Sequence, residues 1–141
     1  MDALPDPAGL AHEDTRDEEL VRWADGAKHA AVLEQLKRGK AAGLTLAGSV
    51  SSGTSSRTLL SSRGAILSEE GTLAKAQFIS QSPVASGYAH GFSSDLKAID
   101  LGGLCGSSIE KASLASQRVN LDVGRYDVVL EPHAVAELLE W

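Results

Sequence analysis

The sequence predicts an α+β fold, an antiparallel β meander flanked by two or three helices. Three observations carry this. Apolar residues recur at helical spacing between Thr15 and Gly43, alternate with a period of two from Leu44 to Phe92, and return to helical spacing after Asp100. The chain of 141 residues fits one domain with an ordinary core.

Residues 1–13 (MDALPDPAGLAHE) combine prolines and acids without periodicity, the composition of a disordered acidic leader or linker, so the structured part is expected to span 14–141. Thr15-Arg16-Asp17-Glu18 fits a capping box, and Leu20, Trp23, Ala24, Ala27 and Ala31 continue it as one long helix. Glu18 and Arg22 can pair at i,i+4. Lys37, Arg38 and Lys40 suit the dipole at the far end, and Gly43 supplies the stop. Gly26 is the weak point, costing about 1 kcal/mol against alanine, where a bend or break is possible.

Leu44, Leu46 and Val50 then open a strand, and SerSerGlyThr at 51–54 reads as a turn. Further strands are expected at 56–61, 65–69 and 73–80, with Arg63-Gly64 and Glu70-Gly71 as hairpin positions. The run VASGYAHGF (84–92) sets Tyr88, His90 and Phe92 on one face and Gly87, Ala89 and Gly91 on the other. Either a helix or another sheet lies very close to the second face, or the segment bends around its glycines.

Asp100 can cap a helix whose stripe is Leu101, Leu104, Cys105, Ile109 and Ala112, weakened early by Gly102, Gly103 and Gly106. Gly124 leads into YDVVL (126–130), whose nearly continuous apolar character predicts a central strand buried on both sides. A last helix starts at Pro132, with Val135, Leu138 and Leu139 expected to pack beneath a sheet.

Charge and composition narrow the function. Asp2, Asp6, Glu13, Asp14, Asp17, Glu18 and Glu19 stand against Arg16 alone, which places the net charge of −6 in the first twenty residues and leaves the rest neutral. No basic stripe exists for phosphate contacts, so direct nucleic-acid binding is not expected. A single cysteine, no apolar leader and no run of 18 apolar residues point to a cytoplasmic chain without a membrane span.

The candidate motifs resolve into scaffold. His12-Glu13 lacks the second histidine that a zinc helix needs, because positions 16 and 17 are Arg and Asp. His133 between Glu131 and Glu137 reads as a solvated helix start. The stretch from Gly48 to Thr54 has phosphate-loop glycine spacing without the lysine and reads as a hairpin turn. Ser108-Ile-Glu-Lys111 has a serine–lysine spacing that short patterns reach by chance, and Cys105 belongs to the apolar stripe. Accordingly, no catalytic, cofactor-binding or metal-ligating residue is assigned.

The ending GRYDVVLEPHAVAELLEW nevertheless resembles a segment of the TldD/PmbA family, in which a glycine-aromatic turn enters a strand and a Leu-Glu-Pro step starts an Ala-Val-Ala-x-Leu-Leu helix. Upstream, LLSSRGAIL, SGYAHGF and AAGLTLAGSVSSG are similar to the same family, so the resemblance covers roughly residues 35–141. It departs at the three glycines of the second predicted helix, where the family usually has Ala and Leu, and at Val123, where proline is common.

The resemblance implies cytoplasmic two-subunit assemblies that enclose a cavity. One subunit type carries a zinc HExxxH motif and cleaves unstructured peptides; the family was also labelled a modulator of DNA gyrase. That motif lies downstream of the Leu-Glu-Pro step, so zinc is expected in the family's catalytic subunit and not in this chain. The chain then reads as the central segment of a larger protein, a partial domain interrupted at Trp141. The expected function is that of a scaffold and subunit-pairing segment of a TldD/PmbA-type metallopeptidase, homo- or hetero-oligomeric, inactive alone. The alternatives are a segment of the non-metal partner subunit, or a stand-alone interaction module docking a partner on the Gly-Ala face of VASGYAHGF.

Overall fold

A computed structural model describes residues 10–117 and 119–140. In chain order it contains β1 (Leu10–Thr15), α1 (Glu18–Val21), α2 (Asp25–Ala41), β2 (Thr45–Leu60), β3 (Ile66–Gln81) and β4 (Ser86–Ser93). A short 3-10 turn (Leu96–Ala98), α3 (Leu101–Ala115) and α4 (Pro132–Leu139) follow. The α+β expectation holds, with a four-stranded sheet that is mixed rather than purely antiparallel.

The centre of the sheet is a hairpin of two 16-residue strands, β2 and β3, in unbroken antiparallel register from Thr45↔Gln81 to Leu60↔Ile66. The turn is at Arg63-Gly64, as expected. Gly64 takes φ 87°, a conformation that costs a residue with a Cβ, and its N–H donates to the Ser61 carbonyl at 3.0 Å. The other edge of β3 is shared, with β1 pairing parallel along Ile66–Gly71 and β4 antiparallel along Ala74–Gln81.

Several local expectations are overturned. Neither SerSerGlyThr nor Glu70-Gly71 turns the chain, because both lie opposite regular partners within the long ladder. Within the segment read as a disordered leader, residues 10–13 belong to β1, while residues 1–9 lie outside the described residues. Thr15 ends that strand and donates to the Glu70 carbonyl, so Asp17 caps α1 instead, accepting from the Glu19 N–H at 2.8 Å. The single long helix is two, divided at residues 22–24, where Ala24 turns extended (φ −66°, ψ 149°) to start α2. Gly26 is the second residue of α2, so the break falls just before it rather than at it.

Helices cover one face of the sheet beside residues 45–52 of β2, 72–81 of β3 and β4, whereas the far end of the β2–β3 hairpin, with Leu59, Leu60, Ile66 and Leu67, is exposed on both faces. Along β3, Thr72, Ala74, Ala76, Phe78 and Ser80 are buried while Leu73, Lys75, Gln77, Ile79 and Gln81 face outward. α3 covers β3 and β4, and α2 packs on β2 and against α3. Phe78 is the largest fully buried side chain, and its ring occupies the space over its cross-strand partner Gly48. At Gly87 a Cβ would collide with the Ser108 carbonyl and the Ala112 N–H of α3, so the face with few side chains exists because a helix backbone rests on it.

The glycines of α3 have a similar reason. Asp100 accepts from the Gly103 N–H at 2.8 Å as the expected cap, and the Arg38 guanidinium of α2 donates to the Gly102 carbonyl at 3.0 Å. A Cβ on Gly103 would strike the Asp100 carboxylate, and one on Gly102 would lie 3.1 Å from Arg38 Nη1.

The expected buried strand at 126–130 does not form. These residues have no regular structure, and Val129 is fully exposed. A β-branched run has the capacity for two-sided burial, but a strand also needs a ladder partner. No strand among the described residues pairs with it. α4 does begin at Pro132, yet Leu138 and Leu139 are exposed rather than packed beneath a sheet.

Candidate functional site

A group of chemically capable side chains lies where β4, α3 and the start of α4 meet. Alternation along β4 projects Tyr88 and His90 from the sheet face opposite α3, as the sequence pattern predicts. His133 from α4 joins them. The ring centroids are 5.6 Å (Tyr88–His90), 6.1 Å (Tyr88–His133) and 5.2 Å (His90–His133) apart, all edge-on. His90 Nδ1 and the Tyr88 hydroxyl are 3.1 Å apart.

Beneath the rings, Lys111 of α3 donates to the Tyr88 carbonyl at 3.0 Å and to the Glu131 carboxylate at 2.6 Å. His133 Nδ1 is 3.3 Å from the same carboxylate oxygen. The hydrogen bond from Lys111 holds the Glu131 carboxyl below its usual range, with desolvation opposing and the charges of Lys111 and His133 assisting. A carboxylate so engaged serves as a counter-ion that ties the 131–139 segment to α3 and β4. It is not poised as a general base.

The sequence-level candidates separate in space. His12 lies on β1 and hydrogen-bonds Ser68 at 2.7 Å. The Gly48–Thr54 stretch is neither a phosphate loop nor the expected hairpin turn, being continuous strand. Ser108 is fully buried, donating to the Cys105 carbonyl and bonded to Ser80, while Lys111 points to Tyr88 and Glu131, so the pair makes no nucleophile–base contact. Cys105 is a core residue, and desolvation pushes its thiol up against a smaller opposing effect of Arg38. Glu137 lines a groove of about 810 Å3 with His90, Phe92 and His133.

The meeting of His90 with His133 was not legible in spacing. The alternation of VASGYAHGF placed His90 on a common face with Tyr88, but only the path of α3 and α4 returns His133 to it. Among the described residues no group of three or more His, Cys, Asp or Glu side chains converges as metal ligands would, and no helix is long and apolar enough to cross a membrane.

On the open sheet face, a groove of about 410 Å3 runs across the strands, lined by Ser49, Ser51, Lys75, Gln77, Tyr88, His90 and Phe92. The exposed Phe92, 72% accessible, forms its apolar wall. No protein-family model matches the chain, and no curated protein or solved structure is significantly similar to it.

Proposed function

We propose that this chain is a scaffold and subunit-pairing segment of a TldD/PmbA-type metallopeptidase, contributing walls and contacts rather than catalytic groups. The observation that carries it is the one-sided sheet. Helices cover one face beside residues 45–52 of β2, 72–81 of β3 and β4, where the other face leaves Leu73, Ile79 and Phe92 exposed on neighbouring strands, and the far end of the hairpin, with Leu59, Leu60, Ile66 and Leu67, is exposed on both faces. An exposed apolar surface of this kind marks an interaction site. The motif resemblance supplies the family, its zinc-bearing catalytic subunit and its unstructured peptide substrates.

The test is metal content and peptidase activity. The purified 141-residue chain, incubated with zinc and a disordered peptide, is expected to retain no stoichiometric metal and cleave nothing. Stoichiometric zinc with chelator-sensitive cleavage would refute the scaffold assignment. A second reading is a stand-alone interaction module; the Gly-Ala face expected to dock its partner is covered by α3, so this reading draws instead on the groove at Tyr88, His90 and Phe92 on the opposite face, and a chain that stays monomeric at all concentrations would favour it.

A further inference from the structure

Among the described residues the outer edge of β2 is long, flat and uncovered, and Arg57 is the one charge on it. Among the described residues β2 pairs with β3 alone, so one side of a 16-residue strand is unpaired. Its sequence, TLAGSVSSGTSSRTLL, has no proline and one charge, Arg57, and its register contains no bulge. Soluble proteins ordinarily shorten, charge, bulge or cover such an edge.

Antiparallel alternation identifies the unpaired groups. The Ser61 N–H donates to the Ala65 carbonyl at 3.0 Å, which places odd-numbered residues of β2 in the hydrogen-bonded pairs with β3. The N–H and C=O groups of even-numbered residues from Leu46 to Leu60 therefore point away from the sheet.

The geometry points to a second copy of this chain as the occupant, with the two β2 edges paired antiparallel about a two-fold axis at Gly53. This deepens, and rests on, the subunit-pairing reading above. Two outward-facing sets can bond only even to even, and centring on Gly53 uses the whole edge. Leu46 then lies opposite the partner's Leu60, Val50 opposite the partner's Ser56, and Ser52 opposite the partner's Thr54. Arg57 faces the partner's Ser49, so the strand's one charge meets no like charge. At the centre Gly53 faces the partner's Gly53, and within the single chain a Cβ there would meet nothing within 4 Å, so the edge is open to an approaching strand.

A second feature lies on the same flank. A groove of about 370 Å3 between α2 and β2 is lined by Val32, Leu33, Leu36 and Val50, with Asp25, Lys28 and His29 at its polar end and no residue of α3 or β3, so it opens on the side of α2 away from the rest of the helical layer. A two-fold at Gly53 brings a second α2 to this flank. The sheet edge, and the side of the molecule that carries this groove, then face the partner in one isologous contact.

The test combines light scattering with cross-linking on the full chain. The wild type is expected to be a dimer. Gly53→Cys should form an interchain disulfide on mild oxidation, since directly opposed positions fall within disulfide reach and Cys105 is buried. Arg57→Cys, displaced from the axis, should not cross-link. Ser52→Pro removes an outward N–H without touching the β2–β3 ladder and should weaken dimerisation on the order of tenfold or more, with circular dichroism unchanged. A dimer that neither cross-links through Gly53→Cys nor responds to Ser52→Pro overturns the edge assignment while leaving subunit pairing intact. A wild-type monomer at every concentration, including one that binds an extended peptide instead, overturns both.

Discussion

Ser80 of β3 and Ser108 of α3 share a hydrogen bond of 2.8 Å at a point where neither has any solvent exposure. Ser108 donates its own proton to the Cys105 carbonyl, so Ser80 must be the donor to Ser108. This order makes the two positions unequal. Ser108→Ala leaves a buried donor unsatisfied and should cost about 1–3 kcal/mol, whereas Ser80→Ala leaves Ser108 bonded and should cost about 1 kcal/mol. Urea unfolding of both singles and the double should show the double less destabilised than the sum. Strict additivity would mean the pair is not a donor–acceptor chain.

Gly87 is where the sheet and α3 come closest. Gly87→Ala sets a methyl against helix backbone rather than a movable side chain, and should destabilise by about 3 kcal/mol. Gly53→Ala, with open space around it, should stay within about 1 kcal/mol of wild type. Equal melting temperatures for the two variants would show that α3 does not rest on β4 as described.

Asp17 couples the N-terminal region to the loop after β4. Its carboxylate accepts from the Leu96 N–H at 2.7 Å, and this bond, opposed by desolvation and assisted by the Glu19 N–H, holds its pKa below the usual value. Nearby, Arg16 lowers Asp14 to about 2. A depressed folded-state pKa means that the unfolded chain takes up the proton more readily. The stabilisation is therefore full above about pH 4 and lost as pH falls through the folded-state value. The urea midpoint should drop between pH 6 and pH 3 by clearly more in wild type than in Asp17→Asn. The same drop in both would remove Asp17 from the account.

Lys111 holds the 131–139 segment through Glu131. Lys111→Met keeps the stem but removes both donations, to Glu131 and to the Tyr88 carbonyl. Amide exchange in α4 should accelerate on the order of tenfold, with β2 and β3 unchanged. Unaltered exchange in α4 would show that the ring contacts of His133 suffice.

Local chemistry made much of the architecture legible. Gly64 at a positive φ, the Asp100 cap, Pro132 at a helix start and the strict alternation of 72–81 all act within a few residues of themselves. What failed depends on distant partners. The glycines at 53 and 71 read as turns, but a continuous ladder to the opposite strand overrides turn propensity. β1 exists only because Leu10–Thr15 lies beside Ile66–Gly71, far along the chain. YDVVL carries the signal of a buried strand and has no strand partner among the described residues. In the candidate site, Tyr88 and His90 were visible as one face of a strand, while their meeting with His133 required the path of two helices.

The central claim is that this chain pairs with another copy of itself rather than acting alone. Sedimentation equilibrium of the purified 141-residue chain across the micromolar range tests it most directly. The account predicts a reversible monomer–dimer equilibrium with the dimer dominant at tens of micromolar, on the order of the affinities of modest interfaces. A single species of 14.7 kDa at every concentration would contradict it.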